Sequence, residues 1–190
     1  MRKIIESTLV TLDGVIEDPA KWAGDYLDPA FQKGALERLL ESDAMLMGRK
    51  TYELLARDWV AQKDDFANRI NGIRKYVFSS TLVKADWNNS IVIKSDAVAE
   101  VRKLKAQTGK DLAVYGHGRF AQSLLASGLL DEIRLSVFPL FVGSGTLLFS
   151  AREPTLLQLI DATSLPTGIV VMRYRPAAIK DAAANGSNNL

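Results

Sequence analysis

The sequence has no cysteine and a single histidine, His117. Without cysteine there is no disulfide, no thiolate metal site and no cysteine nucleophile. One histidine excludes the paired-histidine zinc sites. An excess of either charge is also missing: 24 basic against 22 acidic residues leave a net charge of +2, and the basic residues are scattered. No basic field for nucleic acid results. Nor is there a long apolar run. The longest uncharged stretch, between Arg134 and Arg152, is broken by Pro139, Gly143 and Gly145, too short and interrupted for a spanning helix. Glu6 falls where a signal peptide would be apolar. These absences lead us to expect a soluble cytoplasmic protein with no membrane, nucleic-acid or metal partner. What is present, 47% hydrophobic against 24% charged residues in a chain of 190, fits one globular domain with a real core.

Apolar periodicity and turn residues divide the chain. Ile4–Val10 is rich in β-branched residues and ends at the Asp13-Gly14 turn, which predicts a strand. A long loop follows, through Asp18-Pro19 to about Pro29. From Ala30 to Glu41 the apolar residues recur at helical spacing, with Asp28 as N-cap and Pro29 in the first turn. Strands are expected at Ala44–Met47, Arg74–Ser79, Ile91–Ile93, Leu112–Tyr115 and Ile133–Val137. Helices are expected from Lys50 to Arg57, after an Asp96 cap with Gly109 as terminator, and from Phe120 to near Gly128. In Ile133–Val137 the alternation of Ile133, Leu135 and Val137 with Arg134 and Ser136 predicts a half-buried strand. Two last strands, Leu156–Ala162 and Ile169–Arg175, flank a Pro166-Thr167-Gly168 turn. Strands alternating with helices and closing on strands alone predict an α/β domain with a mostly parallel sheet and an antiparallel C-terminal edge. The Ala/Asn/Gly/Ser tail from Ala177 has little to bury and is expected to be disordered.

Three strand-to-helix or strand-to-loop junctions could carry chemistry. Gly116-His117-Gly118-Arg119-Phe120-Ala121 matches G-x-G-x-x-A between a strand and a helix. Glycines there let the backbone approach a phosphate, and the helix start offers unpaired N–H groups and a positive dipole; a tight turn that merely needs glycine has the same pattern. At Met47-Gly48-Arg49-Lys50-Thr51-Tyr52, two cations sit at a helix N-terminus, where the dipole opposes them, so an anion should repay the arrangement. Ser79-Ser80-Thr81 places three hydroxyls at the end of a parallel strand. A single parallel sheet would bring all three to one rim, the usual ligand position of open α/β folds. Together they suit a ligand with several phosphates, such as a dinucleotide.

Acid–base groups are fewer. Asp13 and Asp28 are candidate proton donors, although both positions also suit turns and caps. His117 reads either as an acid–base group or as a turn residue. With one histidine on a glycine turn, no Ser–His–Asp order is available.

Taken together, Thr11-Leu12-Asp13-Gly14-Val15-Ile16, Met47–Tyr52, Val77-Phe78-Ser79-Ser80, Gly116–Arg119 and the run from Leu129 to Gly145 resemble the dihydrofolate reductase-like superfamily. Within it the chain resembles the group related to the C-terminal reductase domain of the riboflavin-pathway bifunctional deaminase–reductase, over about residues 2–176. The resemblance implies a dihydrofolate reductase-like domain over 1–176 with a three-layer fold of about eight mainly parallel strands, NADPH as hydride donor, a small heterocyclic or carbonyl substrate and a homodimer. By position, Gly48, Arg49, Lys50 and Thr51 would hold the pyrophosphate and 2′-phosphate, and Ser79, Ser80 and Thr81 would line the adenosine side. Gly116, His117, Gly118, Arg119 and Phe120 would form the second phosphate cradle, with Thr8, Leu9 and Ile16 at the nicotinamide. Trp22 and Gln32 would face the substrate. Gln32 falls where dihydrofolate reductase carries the acid that grips the pterin, so a pterin is disfavoured, with Asp28 one turn earlier as the possible substitute. The zinc signature of the deaminase half is missing. The alternatives are a nucleotide-binding or dimerisation module without catalysis and a dihydrofolate reductase proper.

Overall fold

The computed structural model describes residues 1–149 and 155–177. It contains eight strands: β1 (Ile4–Thr11), β2 (Ser42–Gly48), β3 (Arg74–Phe78), β4 (Ser90–Ile93), β5 (Asp111–Tyr115), β6 (Glu132–Phe138), β7 (Leu156–Ser164) and β8 (Val170–Ala177). Five helices accompany them: α1 (Pro29–Leu40), α2 (Arg49–Trp59), α3 (Asp65–Gly72), α4 (Ala97–Ala106) and α5 (Arg119–Ala126). The strands form one sheet in the order β4-β3-β2-β5-β1-β6-β8-β7. All pairs from β4 to β6 are parallel, while β8 runs against β6 and β7 against β8. The mostly parallel sheet and its antiparallel C-terminal edge are therefore as the sequence predicts. The Pro166–Gly168 turn closes the final hairpin, with Gly168 at φ 84° and Leu165 N–H donating to the Ile169 carbonyl at 2.8 Å.

Alternating side chains send each central strand to two cores. On one face Leu46, Leu112, Val114, Ile133 and Leu135 pack under α4 and α5 through Val101, Leu104, Ala121 and Leu124. On the other, Met45, Met47, Val77 and Ala113 pack under Leu39 of α1, Tyr52 of α2 and Ile70 of α3. Phe31 of α1 and Phe138 of β6 extend this second face with edge-on rings 5.8 Å apart. Helices on both faces are what a parallel sheet needs to bury its strands.

Three expectations need correction. α3 was not expected; its eight residues are polar enough to read as loop, and its start is fixed by Asp64, whose carboxylate accepts from Ala67 N–H at 2.8 Å. β6 is not half-buried: Arg134 and Ser136 are as buried as their apolar neighbours, because their side faces a cleft rather than solvent. Lys75, a charged residue whose type is ordinarily found at the surface, is fully buried. The long first loop contains two short 3-10 turns, Pro19–Lys21 and Gly24–Tyr26. Of the tail expected from Ala177, that residue closes β8 and 178–190 lie outside the described residues. Among the described residues no helix is long and apolar enough to cross a membrane.

Candidate active site

The carboxyl ends of β2 and β5 lie side by side, and each turns through glycine into a helix: Gly48 into α2 and Gly118 into α5. Neither helix start has a side-chain cap. The other three are all capped by aspartate, Asp28 on Phe31, Asp64 on Ala67 and Asp96 on Ala99. The free N–H groups of α2 and α5 thus remain available to an anion. The two starts are close: a Cβ on Gly118 would stand 4.0 Å from Thr51 Oγ1, and one on Gly48 would stand 3.3 Å from Phe120 Cβ. Gly116 has φ 73°, the left-handed region that glycine enters without penalty.

Beside this rim a cleft of about 1030 Å³ opens on the α1–α3 face. Its floor is the polar side of the central strands: Ser7 of β1, Tyr115 of β5, and Arg134 and Ser136 of β6. Its walls are α1, α2 and α3. Arg134 is held by Glu132 at 2.6 Å and Glu41 at 3.0 Å. Burial pushes the Tyr115 phenol up to about 12, against the opposing pull of Arg38, Arg134 and Arg69, so it stays a hydrogen-bond donor at ordinary pH.

Behind the glycine turn is a buried polar group. His117 Nδ1 lies 2.7 Å from Glu6 Oε1, which also accepts from Thr8 Oγ1 at 3.0 Å. Glu6 is completely buried, and its Oε2 has no partner among the described residues. His117 is therefore no loosely tolerated turn residue. It pins the Gly116–Gly118 turn to β1, while Thr8 and His117 both reach the cleft lining.

The cleft gathers Thr8, Leu9, Ile16, Lys50, Thr51, Gly116, His117, Gly118 and Gln32. Arg49, Arg119 and Phe120 begin the two helices beside it, with Phe120 stacked on Phe78 at 4.7 Å. Part of the charge at the α2 start is answered within the chain, since Arg49 lies 3.8 Å from Glu53. Ser79, Ser80 and Thr81 stand off the cleft, and Ser79 Oγ accepts from the Thr81 and Leu82 N–H groups in a local turn. Trp22 is near but outside the lining; its indole donates to the Glu17 carbonyl at 2.9 Å and its ring meets Phe138 edge-on. The two proton-donor candidates have other work. Asp28 caps α1, and Asp13 accepts from Thr11 Oγ1 and from the Val142 and Gly143 N–H groups at 3.2 and 2.7 Å. Gln32 Nε2 donates to the Leu27 carbonyl, and α1 brings no carboxylate to the cleft, which leaves no counterpart of the pterin-binding acid on this helix.

The chain matches the RibD C-terminal domain family over residues 2–171. It belongs to that family. It is 32% identical over 182 residues to the uncharacterised protein YyaP of Bacillus subtilis (strain 168), covering 91% of this chain and 94% of that one. In structure it is similar to a protein provisionally assigned to riboflavin biosynthesis in Shewanella sp. PV-4, with a TM-score of 0.72 and 21% identity over 93% of this chain and 99% of the other. It is also similar to the diaminohydroxyphosphoribosylaminopyrimidine deaminase/5-amino-6-(5-phosphoribosylamino)uracil reductase of Thermotoga maritima. There the TM-score is 0.65 at 16% identity, over 93% of this chain and 57% of that longer protein.

Several residues of this RibD C-terminal domain that shape the cleft escape a reading of the sequence. Arg134 and Ser136 look like the solvent side of a strand; Tyr115 looks like the last residue before a glycine turn; Arg38 looks like a basic residue at a helix end. What they share is a polar side chain turned to the cleft, a side set by the order of the strands, and that order is not written locally in the chain.

Proposed function

We propose that this RibD C-terminal domain is an NADPH-dependent reductase of a small heterocyclic or carbonyl compound, akin to the uracil reductase activity in the name of its Thermotoga neighbour. The observation that carries this reading is the pair of adjacent, uncapped helix starts at Gly48 and Gly118. Two helix termini with free N–H groups suit the two phosphates of a dinucleotide. When bound, NADPH would supply the hydride, and the protein's part is placement and electrostatics. Gly116 and Gly118 admit the pyrophosphate, Lys50 and Thr51 supply a charge and a hydroxyl beside it, and Arg49 is placed for the 2′-phosphate. Thr8, Leu9 and Ile16 border the cleft where the nicotinamide would meet substrate, and Glu6 fixes Thr8 there. A homodimer belongs to the same reading; the outer edge of β7, with Leu159 and Ile160 exposed, is the supporting surface.

The test is a titration with NADPH and then NADH, followed by tryptophan fluorescence. Trp59 lines the cleft and should report occupancy. Micromolar binding with a clear preference for NADPH is expected. No binding of either cofactor would overturn the reading in favour of a module that keeps the fold without the chemistry.

A further inference from the structure

Behind the cleft lining lies a buried acid–base pair that the placement of a cofactor does not use. Glu6 comes from β1 and His117 from the Gly116–Gly118 turn, and both are buried. Nδ1 of the ring lies 2.7 Å from Glu6 Oε1. Thr8 Oγ1 donates to the same oxygen at 3.0 Å, and Glu6 Oε2 has no partner among the described residues. An ionised carboxylate only accepts, so it keeps a hydrogen on Nδ1, and the proton that comes and goes is then on Nε2. Nε2 makes no hydrogen bond among the described residues, and His117 lines the cleft together with Thr8, Leu9 and Ile16. Around the ring, Phe149 meets it edge-on at 5.4 Å, and Gln122 of α5 donates to the His117 carbonyl at 3.2 Å. The cations Lys50 and Arg119 stand at the two adjacent helix starts. The carboxylates of the lining, Glu17, Asp18, Asp58, Asp64 and Asp65, belong to the first loop, the end of α2 and the start of α3, and none pairs with the ring.

A carboxylate that fixes one ring nitrogen and leaves the other to a cleft is the arrangement of an oriented acid–base histidine. We propose that His117 is the proton donor of the reduction, with Glu6 and Thr8 as the residues that position it, and that the reducible group is a carbonyl or an imine. The carbon of the C=O or C=N bond takes the hydride that NADPH supplies, and its π pair moves to the oxygen or nitrogen. That atom takes the Nε2 proton as the N–H bond breaks, and the bonding pair stays on the ring nitrogen. The ring is left neutral with Nδ1 still bonded to Glu6, and water returns the proton once product has left. His117 thus supplies the acid that Asp13 and Asp28, held by backbone N–H groups, do not. The inference rests on the reductase reading for the hydride, whereas the fixed tautomer stands on the side chains alone.

A single histidine makes the test direct, because in the full chain labelled with nitrogen-15 histidine the imidazole resonances come from one ring. As the pH is raised and the ring becomes neutral, the hydrogen should remain on Nδ1 and Nε2 should be bare. A neutral ring with its hydrogen on Nε2 would overturn the proposal. NADPH oxidation is then followed with pyridine-4-carboxaldehyde, 9,10-phenanthrenequinone and 3,4-dihydroisoquinoline as probes. At least one should be reduced, and kcat should fall with rising pH in step with the loss of the Nε2 proton in the spectrum. His117→Gln should lower kcat for that probe by about 100-fold or more, with a smaller effect on KM, and should flatten the pH profile. Glu6→Met is the companion variant: the ring remains, the fixed tautomer is lost, and kcat should fall by a smaller factor. A kcat that ignores the Nε2 transition, or unchanged turnover in either variant, would remove the proton donor and leave the reductase reading standing. NADPH bound but oxidised with none of the three probes would overturn the donor as well. Failure of NADPH to bind would instead remove the reductase reading, and the donor with it.

Discussion

Arg49 is the single residue on which cofactor choice most depends in the proposed site. It opens α2, and its side chain is about half exposed at 47%, so water competes for it. Arg49→Ala should therefore weaken NADPH by about tenfold, the lower end for a charge-assisted hydrogen bond, and leave NADH nearly unchanged. Equal losses for the two cofactors in the fluorescence titration would remove Arg49 from the 2′-phosphate. His117 tests a different property. Removing its ring leaves Glu6 buried with Thr8 as its one remaining partner, and an abandoned buried carboxylate is costly. His117→Ala should lose about 3 kcal/mol in urea unfolding, whereas a surface turn residue would lose almost nothing. The histidine is conspicuous in the sequence because it stands alone between two glycines. Its partner is 111 residues away, on a strand whose neighbour is fixed by topology, and local spacing cannot reveal that pairing.

Among the elements, the loop after β1 is clipped to the 139–149 segment by two carboxylates. Asp13 accepts from Thr11, Val142 and Gly143, and Glu17 Oε2 accepts from the N–H and hydroxyl of Thr146 at 2.9 and 2.8 Å. The Thr11 and Thr146 hydroxyls, followed by the backbone donors, hold Asp13 and Glu17 below their ordinary carboxylate values. Because the folded values are depressed, the clip is complete above the unfolded values and is lost as pH falls through the folded ones. The amide resonances of Gly143 and Thr146 should therefore titrate with midpoints below the ordinary aspartate and glutamate values respectively, and Asp13→Asn and Glu17→Gln should each abolish their own transition. A midpoint at or above the ordinary carboxylate value would show that the clip does not form. Ile16, Glu17 and Thr146 line the cleft, so loosening the clip would alter one of its borders. Elements with strong apolar periodicity and a visible cap, such as β1, α1 and α4, are legible in the sequence. α3 is not, because its buried contribution is confined to Ala67 and Ile70 and its stability comes from packing on α1 and from Asp64.

For the whole molecule, the buried Lys75 couples global stability to pH. Its ammonium donates to the carbonyls of Asn71, Ile73 and Asn88 at 3.0, 2.8 and 3.0 Å and lies 4.3 Å from the Trp87 ring centre. It therefore joins the end of α3 to the β3–β4 connection. Burial lowers its pKa from 10.5 to about 8. The folded state then releases this proton at lower pH than the unfolded state, so between pH 8 and 10.5 the unfolded chain binds more protons and stability from this group rises with pH. Below pH 8 both states are protonated and the burial cost is present in full. The change across the window is at most about 3 kcal/mol, because three carbonyl acceptors favour the charged form and oppose the shift. Other groups titrate in the same range, so the informative quantity is the urea-unfolding difference between the unaltered protein and Lys75→Met. Methionine removes the titration but leaves three carbonyls without their donor, which costs about 1–3 kcal/mol for a buried group left unsatisfied. At pH 7 this loss is set against the burial cost that methionine removes, so the two proteins should be close in stability, and the unaltered protein should gain on the variant from pH 8 to 10.5. Parallel curves would mean that Lys75 does not titrate in that window. A loss relative to the variant over the same range would mean that its charge is more stable inside the fold than in water.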